Sequence, residues 1–364
     1  MWVVVKGMSI RCYLKNRNYL ISQRDFLSDY SRIKSKKIDM TLSGKYLSNY
    51  ESIEIDIKKI DKYPSKDDID ALEDMIKKEL HIKKEIIVGN GGNGLLQNII
   101  KILFINKGNL VTPFYTFNQA EFGVSSFGGY TKRVYCNNYN IDLDKIKKSI
   151  DRKTRMIYIC NPNNPTGIYI NAKTLLEFTK KVKIPVVIDE SGIEFTSKKS
   201  ILDFDEIPNN LIVIRSFSKA YGLANLRIGY LVCNEWFKQK YLCKITTNEF
   251  SGISCVIAAR LFTSKNIKIN IENIVNERKK IENALKDKGI KLIKSDSNTI
   301  MTKTHFNQTL IPILEENDIS VVPVYDENNL LHIRIAIQDK NTNNIFIKKI
   351  VKILRNNKNI IDRG

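Results

Sequence analysis

Arg215-Ser216-Phe217-Ser218-Lys219-Ala220-Tyr221-Gly222-Leu223-Ala224-Asn225-Leu226-Arg227-Ile228-Gly229-Tyr230 is the stretch on which the reading of this chain turns. It leaves an apolar, β-branched run, Leu211-Ile212-Val213-Ile214, of the kind that forms a buried strand. Two hydroxyls, a lysine and small residues follow, with Arg227 eight positions past Lys219. A lysine held at the end of a buried strand is poorly solvated. Desolvation disfavours its charged form and frees the amine as a nucleophile for carbonyl groups. Ser216, Ser218 and Arg227 supply hydroxyl and guanidinium donors suited to a phosphate. A surface lysine beside a capping serine would share the short pattern, so the rest of the chain has to decide.

Working outward, Ser65 stands where it can cap an amphipathic helix from Asp67 to Leu80, with three aspartates at its positive end. The strand Glu85–Val88 then runs into Gly89-Asn90-Gly91-Gly92-Asn93-Gly94 and a helix from Leu95 to Phe104. Strand, glycine-rich turn and helix start make an anion cradle, because bare amides and the helix dipole face one point. Neither a Walker loop nor the Rossmann spacing is present. A third strand, Arg155–Cys160, enters Asn161-Pro162-Asn163-Asn164-Pro165-Thr166-Gly167, where the prolines stiffen the turn. After a helix from 171 to 181, Val186-Val187-Ile188 ends in Asp189, where α/β sheets place ligands. The tail predicts a long helix over 271–288, a strand over 320–324 and another over 331–337 that contains Arg334. Simple alternation allows Arg334 to face either way; facing inward, it would need a partner such as a carboxylate.

In this order the motifs resemble the fold-type I enzymes that depend on pyridoxal 5'-phosphate (PLP), in particular the family of histidinol-phosphate aminotransferase and threonine-phosphate decarboxylase. The resemblance runs from about Tyr63 to Ile337. It implies a large α/β domain with a mostly parallel sheet flanked by helices, plus a small C-terminal α+β domain, and a homodimer with sites at the interface. Divisions are expected as residues 1–50 for an arm or part of the small domain, 51–238 for the PLP-binding domain and 239–364 for the small one. It implies Lys219 as the Schiff-base lysine and proton shuttle, Gly91, Gly92 and Asn93 as the phosphate cup, and Tyr115 stacked on the pyridine ring. It also implies Asn164 against the phenolic oxygen, Asp189 against the pyridine nitrogen, Tyr63 reaching the partner's phosphate and Arg334 holding a substrate carboxylate. The activity implied is amino transfer between an amino acid and a small, phosphorylated keto or aldehyde compound; decarboxylation of a phospho-amino acid is the alternative. Three positions depart from the family pattern. Gly192 stands where a tyrosine is usual, Asn118 where a second aromatic is, and Asn225 where glycine is.

Bulk properties limit the other classes. The 364 residues carry 59 Lys+Arg against 39 Asp+Glu, a formal charge of +20 that suits anionic small molecules. The basic residues are spread evenly and no nucleic-acid motif appears, so no nucleic-acid partner is expected. Six cysteines without a C-x-x-C pair, and only three histidines, predict neither a disulfide framework nor a metal site. A reducing, cytoplasmic setting is the expectation. No apolar run is long enough for a membrane span, and the start has no long signal-like core; Met8 offers a second start.

Overall fold

The computed structural model describes residues 38–41, 61–245 and 250–361. Seven strands form the central sheet: β2 (Glu85–Gly89), β3 (Asn109–Pro113), β4 (Tyr130–Val134), β5 (Thr154–Cys160), β6 (Val186–Asp189), β7 (Leu211–Ser216) and β8 (Gly229–Cys233). Their spatial order is β2-β8-β7-β6-β5-β3-β4. All run parallel except β8, which is antiparallel to both its neighbours. The continuous apolar runs of β5, β6 and β7 are explained by burial on both faces. One face packs on helices α1 (Lys66–Glu79), α5 (Ala172–Lys180) and α7 (Gly252–Phe262), the other on α2 (Gly91–Leu103) and α6 (Glu235–Lys244). Residues as far as Phe262 therefore share the core of the large sheet.

Ser65 caps α1 as its sequence suggests, accepting a bond from the Asp68 amide at 3.1 Å. The glycine-rich segment differs from the expectation. It is not a loop ahead of a helix at Leu95; α2 already begins at Gly91, so Gly92 and Asn93 are its first turn. With no β-carbon at Gly91 or Gly92, helix and sheet approach closely. A Cβ on Gly229 would lie 2.7 Å from the Arg215 carbonyl oxygen and 3.0 Å from the Gly92 nitrogen.

A second core gathers around the three-stranded antiparallel sheet β11-β12-β9, made of β9 (Thr299–Met301), β11 (Val322–Tyr325) and β12 (Leu331–Ala336). The long helix α8 (Lys265–Lys286) and the terminal helix α10 (Lys340–Asn356) pack on it. The expected strand over 320–324 is two strands. Ile319–Ser320, β10, pairs with β1 (Ile38–Asp39), and the chain then changes partner so that Val322 lies opposite Arg334. β1 thus belongs to the C-terminal core, and the Met40 carbonyl accepts a bond from the Ala336 amide at 2.7 Å. The rest of residues 1–50 lies outside the described residues. Among the described residues no helix is long and apolar enough to cross a membrane.

Candidate active site

The carboxyl ends of the parallel strands converge on a cavity of about 360 Å³, in the place where open α/β sheets bind ligands. Its wall includes Gly92, Asn93, Asn164, Asp189, Ser216, Ser218, Lys219, Arg227 and Arg334, drawn from five widely separated segments. Nine of the residues singled out in the sequence therefore meet in one place. Gly91 stands just behind them: its φ is +67°, and a β-carbon there would press on the Arg227 guanidinium at 2.8 Å.

The lysine stretch is a hairpin. β7 ends at Ser216, β8 begins at Gly229, and these two residues are paired in the ladder, so the intervening loop is closed at its neck. Ser216 Oγ accepts from the Ser218 amide at 3.1 Å. Arg227 holds a left-handed backbone (φ 48°, ψ 53°) and donates to the Ala224 carbonyl at 2.9 Å and to Ser218 Oγ at 3.5 Å. Lys219 is half-buried, less withdrawn from water than the sequence argument supposed. Hydroxyls, guanidinium and the bare α2 amides form a donor set for an anion.

Asp189 is 5% exposed and has two donors: the Tyr158 hydroxyl at 2.7 Å and the Ser191 amide at 2.9 Å. Burial and the neighbouring Asp189 push the Tyr158 phenol well up, so it remains a donor. Cys160 lines the same wall; burial, then Asp189, raise its thiol to about 12 against the pull of Lys219. Behind Asp189, the fully buried Glu190 accepts from Arg215 at 3.0 Å and from Ser200 at 2.6 Å, which ties the ends of β6 and β7 together. Burial raises the Glu190 carboxyl, and Arg215 opposes that shift.

Arg334 faces inward, 4% exposed. It donates to Asn164 Oδ1 at 2.9 Å and to the Thr41 carbonyl, while its buried Nε has no partner. Asn164 and Arg334 also line an adjoining cavity with Tyr115, Arg133 and Tyr325.

Two expected residues lie elsewhere. Tyr115 is not in the wall of the lysine cavity. Its ring is buried against Tyr139 and its hydroxyl is 3.3 Å from Glu327; Phe117 is the aromatic residue that lines the cavity instead. The chain turns after Pro113 so that the fourth residue lines the lysine cavity and the second lines the adjoining one. Tyr63 is 84% exposed ahead of α1 and does not line this cavity. Sequence reasoning missed Phe117, Tyr158 and the polar row Ser297, Asn298 and Thr299. A tyrosine inside an otherwise apolar strand was a readable signal, since a buried hydroxyl needs a partner. The 297–299 segment comes from the second core and carried no local sign. Gly192, where a tyrosine is usual, stands beside the lysine: a β-carbon there would lie 3.9 Å from Lys219 Nζ and 3.4 Å from Ser297 Oγ.

The architecture matches a solved histidinol-phosphate aminotransferase from Sinorhizobium meliloti in complex with pyridoxal-5'-phosphate, with a TM-score of 0.78 at 20% identity over 96% of this chain and 99% of that one. This is the fold-type I class of PLP-dependent enzymes. The profile of the family described as aminotransferase class I and II matches residues 47–350, and the chain belongs to that family. It is 31% identical over 277 residues to a histidinol-phosphate aminotransferase of Caldanaerobacter subterraneus subsp. tengcongensis, covering 74% of this chain and 78% of that one. It is 32% identical over 284 residues to one of Ruminiclostridium cellulolyticum, covering 75% and 78%. The chain is accordingly an aminotransferase with PLP as its cofactor. The residues present fit that group: donors for a phosphate and a buried acid share a cavity in which Gly92 lets the wall come close, since a β-carbon there would stand 3.0 Å from Ser191 Oγ.

Proposed function

We propose that this enzyme moves an amino group between an amino acid and a small, phosphorylated keto or aldehyde compound, as the names of its histidinol-phosphate aminotransferase relatives suggest. The observation that carries the reading is the gathering of Lys219, Asp189, Asn164, Ser216, Ser218, Arg227 and Arg334 around one cavity. Lys219 is the amine that holds the cofactor and then moves the proton between the two carbons that exchange nitrogen. Gly91, Gly92, Asn93, Ser216, Ser218 and Arg227 bind the phosphate, and Asp189, held by Tyr158 and Ser191, keeps a ring nitrogen protonated. PLP supplies the electron sink for the charge that develops at the substrate Cα. Arg334 orients a carboxylate, and Asn164 fixes the face from which Arg334 presents its fork.

The exposed Tyr63 supports a homodimer in which it completes the partner's phosphate site. Division of the chain near 238 into a PLP-binding and a smaller domain belongs to the same reading, although the packing of α7 favours a boundary after Phe262. A cytoplasmic location also belongs to it.

The test is the absorption spectrum of the PLP-loaded enzyme during exposure to amino acids and phosphorylated amino compounds, with CO2 assayed in parallel. Conversion to the pyridoxamine form, reversed by a keto acid, is the expected result. Turnover that releases CO2 without that conversion would instead assign the decarboxylase alternative, for which the space at Gly192 beside Lys219 is the supporting observation.

A further inference from the structure

The fold brings together two of the chain's three histidines with an aspartate, outside the PLP cavity. His332 lies on β12, two residues before Arg334; Asp326 sits in the β11–β12 turn; His305 precedes Phe306, which bridges to Leu331. One ligand atom from each of the three lies within 4.8 Å of the others. We propose that His305, Asp326 and His332 form a binding site for one divalent transition-metal ion, zinc in the first instance.

The argument is one of orientation. His332 is fully buried, and its Nδ1 lies 3.0 Å from the Thr302 carbonyl oxygen. A carbonyl only accepts, so Nδ1 carries the proton and the lone pair belongs to Nε2. A backbone carbonyl on the far nitrogen is how metal-binding histidines are commonly held. Nε2 points at the Tyr139 hydroxyl, 3.3 Å away, and at Asp326 Oδ2, 3.8 Å away. Asp326 is oriented as well. Its Oδ1 is taken by the amides of Asn328 at 2.9 Å and Leu330 at 2.8 Å, leaving Oδ2 for the cluster. The His305 ring stands edge-on to His332 with centroids 4.7 Å apart. Nitrogen and carboxylate ligands on tetrahedral zinc sit roughly 3.3–3.5 Å from one another, given bonds of about 2.0–2.2 Å. Small rotations of the half-buried His305 and Asp326 close the remaining gap. Water or the Tyr139 hydroxyl would be the fourth neighbour. The ion would fasten the hairpin turn and the 305 segment to the strand that presents Arg334. The count of histidines and the cysteine spacing gave no sign of this, because the ligands come from three separate segments.

The experiment is zinc titration of the chelator-treated holoenzyme by calorimetry, paired with thermal unfolding. One zinc per chain through this cluster, with a raised unfolding midpoint, is the expected result. His305→Gln and Asp326→Asn should weaken that binding by more than about tenfold and remove the zinc-dependent rise, while their midpoints without zinc stay near the parent's. His81→Ala and Cys243→Ser should leave both readouts unchanged. No zinc binding, or binding that His305→Gln and Asp326→Asn leave intact, would overturn the site.

Discussion

At the residue scale, the acid in the wall of the lysine cavity is held by a partner that no motif announces. Tyr158 occupies the middle of an apolar strand, yet its hydroxyl is committed to Asp189 at 2.7 Å. Tyr158→Phe keeps the ring packing and removes that donor from a buried carboxylate. It should cost about 1–3 kcal/mol in unfolding free energy and lower turnover along with it. An unfolding curve that coincides with the parent's would show that the bond contributes nothing. Asp189 itself was legible, because an acidic residue at the end of a buried strand has few reasons to be there. Tyr115 shows what spacing leaves open: counting from Pro113 does not say which ring the turn brings to which cavity, and here Phe117 lines the lysine cavity while Tyr115 lines its neighbour.

At the element scale, the strands of the large sheet were readable because burial on both faces demands uninterrupted apolar runs, and Leu211–Ile214, Val186–Ile188 and Met156–Ile159 show them plainly. The start of α2 was not, because glycine's low helix propensity argues for a loop, while tertiary packing overrides it. Gly229 explains the override. A β-carbon there would meet the Arg215 carbonyl at 2.7 Å and the backbone of Gly91 and Gly92 at 3.1 and 3.0 Å, and backbone cannot step aside as a side chain can. Gly229→Ala is therefore expected to destabilise the enzyme by about 1–3 kcal/mol and to loosen PLP retention, since the same contact holds the first turn of α2 at the cavity. Chemical denaturation and dialysis against PLP-free buffer measure the two effects. Loss of stability with retention unchanged would separate the packing of α2 from its proposed part in the site. The second core was less legible: its strands are short, and β10 and β11 take different partners within a single sequence run.

At the scale of the whole molecule, two cores meet across the site, and each contributes to its wall: Lys219 and Asp189 from the large sheet, Thr299 and Arg334 from the small one. The proposed homodimer predicts a sedimentation mass of twice the 42.0 kDa chain for the active enzyme. Tyr63→Phe should leave that mass unchanged while weakening PLP retention several-fold, as loss of one hydroxyl to a phosphate would. Full activity in a single-chain species would refute the shared site. Asn164 and Arg334 also have a dual address, since both line the lysine cavity and its neighbour. They form a party wall, and whatever occupies either room leans on the same guanidinium. On the proposed function, an inhibitor long enough to furnish both rooms would exclude amino donor and amino acceptor alike, and a chemist designing one would begin from the hydrogen bond between those two side chains.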